Sequence, residues 1–190
     1  MQLLIDEKEQ EIISRAQSNP GSFAPLYDHY FPKIYSYIYH RVQNPQLAED
    51  LVAETFYKAL ANIKKFKWQD RSFACWLYTI ARNQVIDQFR RQEPLPLELD
   101  ESKGELTAPV VNNPEEKVLS EVTKEELLKA IKTLSSEQQD ALLLRFQEEL
   151  KIKEIALILN KNEGAVKALL FRGLKNLRKK LEGGDYYEAV

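Results

Sequence analysis

The chain has 190 residues, 44% hydrophobic and 29% charged, with a formal net charge of -2; that is enough apolar material for one or two packed domains and too much for a chain disordered throughout. A single cysteine, Cys75, excludes an intramolecular disulfide and a multi-cysteine zinc site. The N-terminus MQLLIDEKEQ turns acidic without the basic start and apolar run of a signal peptide, and no stretch approaches the roughly 18 apolar residues of a membrane span, so the expected setting is reducing and cytoplasmic.

In chain order, FAPLYDHYFPKIYSYIYHRV carries apolar residues at helical spacing: Phe23, Leu26, Tyr27, Tyr30, Phe31, Ile34, Tyr35, Ile38 and Val42. Pro32 marks a bend or a helix start within it. In NPQLAEDLVAETFYKALANI, Asn44 and Pro45 fit a cap and first turn. Leu47, Leu51, Phe56, Ala59, Leu60 and Ile63 form an apolar face there. Asp50, Glu54 and Lys58, each four apart, form a polar row. A third helix is expected over SFACWLYTIARNQVIDQFRRQ, with Phe73, Trp76, Leu77, Ile80, Val85, Ile86 and Phe89 apolar, ending before Pro94. Just ahead of it, Trp68 sits among Lys64, Lys65, Lys67 and Arg71, outside that helix's apolar stripe. Aromatics mixed with cations form a platform on which unstacked bases can lie.

The following stretch, PLPLELDESKGELTAPVVNNP, holds four of the eight prolines and no helical or strand period. It reads as a flexible acidic linker over 94–122, either a solvated tether or a segment with a binding role of its own. By charge the chain falls into three parts: residues 1–93 are net +1, 94–126 net -6 and 127–190 net +3.

The last part contains KIKEIALILNKNEGAVKALLFRGLKNLRKKL. Ile152, Ile155, Ala156 and Leu159 give a short helix one apolar stripe. Asn160, which tolerates the left-handed conformation, stands where the chain must turn. Glu163 begins a second helix with the stripe Val166, Leu169, Leu170, Leu174 and Leu177, and Gly173 on that side permits close approach. Lys167, Ala168, Phe171, Arg172 and Lys175 then face outward. Two helices joined by about three residues, the second with a basic outer face, fit a helix-turn-helix that enters the DNA major groove. The expected fold is all-α: two small helical domains, 1–93 and 123–182, a linker between them and a tail over 183–190.

The succession AEDLVAETFYKAL, FACWLYTIARNQVIDQFRR, linker, LSSEQQDALLLRF and the helix-turn-helix just quoted resembles the extracytoplasmic-function sigma factors of the bacterial sigma-70 family over nearly the whole chain. The resemblance implies a transcription initiation factor that binds core RNA polymerase and directs it to promoter DNA. The first domain would be region two, reading and opening the minus-ten element, and the second region four, reading the minus-thirty-five element. Asp50, Glu54 and Lys58 would dock on the clamp coiled coil of the largest polymerase subunit. Ala53 stands where many relatives have Gln. Trp68, Arg71 and Ser72 fall on the loop that captures a flipped base, with Arg82 and Asn83 near it. Arg145, Lys167, Phe171, Arg172 and Lys175 would contact DNA in region four. The recognition helix reads AVKAL where TVKSR is common, which shifts recognition toward shape and apolar contact. An anti-sigma factor would be a further partner. No cofactor, metal or catalytic residue is implied. Two other readings compete: a helix-turn-helix regulator acting without polymerase, which leaves the first domain's motifs unexplained, and a nuclease, for which His29, His40 and the Asp50/Glu54 pair offer little chemistry.

Overall fold

A computed structural model describes residues 2–68, 71–92 and 124–182, all helical or in turns between helices, with no strand among them. The expected linker (94–122) and tail (183–190) lie outside the described residues. The chain divides into two compact units, Met1–Pro96 and Leu97–Val190.

In the first unit, α1 (Gln2–Ser18) is a helix for which the sequence raised no expectation. Its described half buries only Ile13 and Ala16, a pattern too sparse to register as amphipathic. Polar contacts hold it in place. The Gln17 amide donates to the carbonyls of Ile63 (3.1 Å) and Phe66 (2.9 Å), and the Tyr30 hydroxyl donates to Glu9. Asn19 accepts from the Gly21 amide at 3.1 Å and opens a short 3-10 turn, Pro20–Phe23.

Helix α2 (Ala24–Val42) carries Pro32, which is exposed, in its interior, so no helix starts at that residue. It ends at Gln43, in the left-handed region at φ 49°, whose N–H donates to the Tyr39 carbonyl at 2.7 Å. The buried side is Leu26, Tyr30, Ile34, Tyr37 and Ile38. Tyr27, Phe31 and Tyr35, expected on the apolar face, instead lie on a flank. There, with Tyr39, they form a ladder of rings one turn apart, with centroids 5.3 to 6.1 Å from each other. Tyr37 takes the buried place, edge-on to Tyr78 at 5.6 Å; burying such a ring contributes about 1.5–3 kcal/mol.

Helix α3 (Pro45–Asn62) begins as the sequence indicates. Asn44 accepts from the Leu47 amide at 3.1 Å and Pro45 fills the first turn, where its missing N–H costs nothing. Ala48, Leu51, Val52, Phe56 and Ala59 are buried, as is Thr55, whose hydroxyl donates to the Leu51 carbonyl. After a 3-10 turn, Ile63–Lys65, helix α4 (Phe73–Gln92) buries Phe73, Cys75, Leu77, Tyr78, Ala81 and Val85.

The second unit contains α5 (Lys124–Lys132), α6 (Ser136–Leu142), α7 (Ile152–Leu159) and α8 (Glu163–Glu182). Helix α6 loosens into a π turn over Leu143–Gln147. The core is aliphatic: Leu134, Leu142, Leu143, Leu144, Ile155, Ile158, Leu159, Val166, Leu169 and Leu170. Asn160 adopts the left-handed conformation at φ 54°, and the Lys161 N–H closes back on the Ala156 carbonyl at 2.9 Å. Asn162 then caps α8 by accepting from the Ala165 amide at 2.7 Å. A Cβ on Gly173 would stand 3.1 Å from Leu142 Cδ1, a tight contact that the glycine avoids where α8 approaches α6.

Candidate nucleic-acid interface

In the second unit, Lys167, Phe171, Arg172 and Lys175 are all exposed on α8, opposite the buried Val166, Leu169 and Leu170. Ala168 is half-buried beside them. One expected core residue moves outward: Leu174 is 37% exposed and widens the apolar part of the outer face next to Phe171. The reason is geometric. Helix α8 is pinned at Gly173, so its buried line passes through positions 166, 169, 170 and 173 and leaves 174 about a hundred degrees away. The turn that presents α8 is braced by an ion pair between Lys161 and Glu137, 2.9 Å apart, which ties it to α6. Arg145 is exposed on the π turn. Its Nη1 donates to the Leu150 carbonyl at 3.0 Å, fixing where the guanidinium stands.

In the first unit, a groove of about 480 Å³ is lined by Lys58, Asn62, Lys65, Arg71, Trp76, Ile80, Asn83, Gln84 and Asp87. Of the residues expected to meet an extruded base, it brings together Arg71 and Asn83. Ser72 acts locally. Its hydroxyl accepts from the Cys75 amide (3.3 Å) and its carbonyl from the Trp76 amide (3.1 Å), which starts α4 and sets Arg71 at the rim. Arg82 is half-buried and is not among the lining residues.

Trp68 lies on a different surface. It is half-buried, edge-on to Phe66 at 6.2 Å, and lines a smaller hollow of about 190 Å³ with Gln10, Ile13, Ser14 and Gln17 of α1. Its expected freedom from packing is therefore corrected: α1, which the sequence pattern did not announce, supplies its neighbours. Trp76, expected in the core, is half-buried and forms a wall of the groove, 5.1 Å from Phe66.

Asp50 and Glu54 are exposed on α3. Lys58 departs from their row. Its ammonium lies 3.3 Å from the Glu54 carboxylate and donates to Gln84 Oε1 at 2.9 Å, so the side chain bends toward α4 and joins the groove. A flexible four-carbon stem allows this, and a buried amide acceptor rewards it. The groove residues missed in the sequence were Asn62, Gln84 and Asp87, while Lys65 was expected only among the cations beside Trp68. Their signal was present only as spacing: Lys58, Asn62 and Lys65 lie one turn apart, facing Asn83 and Asp87, which are also one turn apart.

Among the described residues no helix is long and apolar enough to cross a membrane. Residues 26–94 match the family model for sigma-70 region 2, and residues 124–177 that for sigma-70 region 4. The chain is 40% identical to the ECF RNA polymerase sigma factor BldN of Streptomyces coelicolor, over 90% of this chain and 65% of BldN. It is 31% identical to the ECF RNA polymerase sigma factor SigW of Bacillus subtilis, over 95% of this chain and 98% of SigW. Among solved structures, CnrH in complex with the cytosolic domain of CnrY shares the fold with a TM-score of 0.69 at 19% identity, covering 92% of this chain and 97% of CnrH. RpoE in complex with the anti-sigma factor NepR from Bartonella quintana shares it with a TM-score of 0.65 at 24% identity, covering 86% of this chain and 98% of RpoE. The chain belongs to the extracytoplasmic-function sigma factors of the sigma-70 family, which bind core RNA polymerase and direct promoter-specific transcription initiation.

Proposed function

We propose that the two units divide promoter recognition between them. Residues 1–93 dock on the clamp coiled coil of the polymerase through Asp50 and Glu54. They hold the opened minus-ten strand in the groove lined by Arg71 and Asn83, with Lys58 and Lys65 supplying positive charge. Ser72 and Arg82 support that groove, and Trp68, on its separate surface against α1, offers a second stacking face. Residues 123–182 read the minus-thirty-five duplex through Lys167, Phe171, Arg172 and Lys175, with Arg145 reaching the backbone. The linker, 94–122, carries its acidic charge into polymerase channels that otherwise hold nucleic acid. The factor acts in the cytoplasm, catalyses no reaction itself, and is held in check by an anti-sigma factor, as the pairing of RpoE with NepR suggests for a relative of the same fold.

The observation that carries this reading is the groove itself. An arginine and an asparagine, one from a loop and one from a helix, meet a half-exposed tryptophan wall and two lysines in one concavity. Cations beside an aromatic face are what an unpaired base and its phosphate require. The overall charge of -2 fits as well. Phosphate attraction is concentrated in this groove, on α8 and at Arg145, so the free factor does not occupy duplex DNA on its own. Run-off transcription with purified core polymerase on genomic fragments, followed by mapping of start sites, tests the proposal. Defined starts that appear only with the factor support it. Tight, sequence-specific binding by the free protein together with no factor-dependent transcript would overturn it in favour of a polymerase-independent regulator.

A further inference from the structure

Tyr57 is the most exposed of the large hydrophobic side chains among the described residues, at 69%. It is also isolated. Every other described Phe, Tyr and Trp from Phe23 to Tyr78 lies against another ring. Tyr57 touches none and makes no hydrogen bond among the described residues. A partner that covered this ring would remove its apolar face from water, which is favourable in proportion to the area covered.

Its surroundings say what kind of partner. On α3 the row one turn apart runs Ala53, Tyr57, Ala61, all exposed, so the ring stands between two methyl groups and projects beyond them. The adjoining row is Asp50 and Glu54, also exposed, with Glu49 beside them. The one cation on this stretch, Lys58, lies 3.3 Å from the Glu54 carboxylate and donates to Gln84, so it offsets one of the three acids and leaves the face net negative. The face is therefore a single aromatic knob in an acidic surround. It is complementary to a helical surface that offers an apolar hole rimmed by lysine or arginine, the way a coiled coil receives a knob.

We propose that Tyr57 is the apolar anchor of the docking surface for core polymerase, seated between helices of the clamp coiled coil while Asp50 and Glu54 pair with cations at its rim. The inference rests on the docking role assigned above to Asp50 and Glu54 and adds the residue that supplies most of the dry contact. Tyrosine is favoured in such a place because it buries a large rigid surface with little conformational entropy to lose.

The test compares full-length Tyr57→Ala, Tyr57→Phe and Asp50→Arg/Glu54→Arg for binding to core polymerase, with thermal melts of each free protein. Tyr57→Ala is expected to weaken binding by roughly tenfold or more, with its melt unchanged, while Tyr57→Phe stays near the parent. If Tyr57→Ala binds like the parent while the double reversal does not, the anchor is wrong and the docking surface stands. If neither affects binding, both are wrong. A Tyr57→Ala variant that binds core normally yet fails to open a promoter would move the ring to the DNA side, and one that melts lower would make it structural; either result overturns the proposal.

Discussion

The two units are built from different material. All the aromatic residues lie in the first except Phe146, Phe171, Tyr186 and Tyr187, and of these Phe146 and Phe171 are exposed. The first unit is cored with rings: Phe23, Phe56, Phe66 and Phe73 meet edge-on or tilted, and Tyr37 meets Tyr78. The second is cored with leucine and isoleucine. On the proposed division of labour, the difference follows from what each unit would hold. A surface for unpaired bases needs aromatic walls held rigidly, and rings that pack on one another provide both the core and its exposed margin, as Phe66 does for Trp68 and Trp76. A duplex reader needs one helix whose outer face is left free for the groove, for which aliphatic packing at the seam with Gly173 is sufficient.

The most drastic perturbation detaches both units from polymerase at once. Reversing both acids, Asp50→Arg with Glu54→Arg, is expected to abolish core binding and with it every function of both units, because repulsion replaces attraction at a docking surface. Both side chains are exposed, so the free protein should melt as before. Pull-down with core enzyme and a circular dichroism melt check this; unimpaired binding would remove the docking assignment.

Next come the groove residues of the first unit. Arg71→Ala and Asn83→Ala are each expected to cost about 1–3 kcal/mol at the melted strand, the scale of leaving one hydrogen-bonding partner unsatisfied. Transcription should recover on a template with a pre-melted minus-ten bubble. Trp68→Ala is expected to behave differently. It removes a ring packed on Phe66 and against α1, so its melting temperature should fall alongside its activity. If Trp68→Ala melts normally and is rescued by the bubble, Trp68 is a pure stacking surface and its packing contributes nothing.

How much of this could be read beforehand depended on local chemistry. The caps and turns were legible because they rest on single side chains with fixed geometry: Asn44 with Pro45, Asn160 in the left-handed region, Gly173 at the helix crossing. The exposed face of α8 was legible from its helical period. The facing of α2 was not. In YSYIYH an aromatic stands at nearly every second position, so periodicity alone cannot choose Tyr37 over Tyr35. Helix α1 escaped because what ties it down is a pair of hydrogen bonds from Gln17 to carbonyls far along the chain. Lys58 was placed on the correct helix but not in its direction, since a long stem goes where a buried acceptor draws it, and Gln84 lies on another helix.

A smaller effect is expected from the second unit. Arg172→Ala in holoenzyme should either cost about 1–3 kcal/mol at one base pair and relax preference there, or weaken all sites alike and lower the salt slope by about one. Selection among minus-thirty-five variants at two salt concentrations separates a base contact from a phosphate contact. Unchanged preference and unchanged slope would place the recognition face elsewhere on α8. The groove variants should show the converse pattern, strong rescue by the bubble and no change in minus-thirty-five preference, which is what a division of labour between the units requires.

The smallest effect uses the fact that both histidines, His29 and His40, lie on α2 and none in the second unit. Partial burial, and then the ammonium of Lys33, hold the His29 pKa below its usual 6.5; the Lys33 Nζ is 3.2 Å from its Nε2, where the neutral ring accepts. The sign follows from which state takes the proton first. The unfolded chain protonates His29 as pH falls through about 6.5, while the folded chain resists until lower pH, so the stability it contributes is full above that value and declines below it. His29→Gln should therefore flatten a small part of the fall in melting temperature between about pH 7.5 and 5.5, the window in which an ordinary histidine titrates. Only the difference between variant and parent is informative, because carboxylates titrate in both. Thermal melts of the full chain at the two pH values measure it. Parallel curves would mean that His29 is solvated well enough for Lys33 not to matter. A variant that loses more stability in acid than the parent would reverse the sign and show that His29 gains a partner when it is charged.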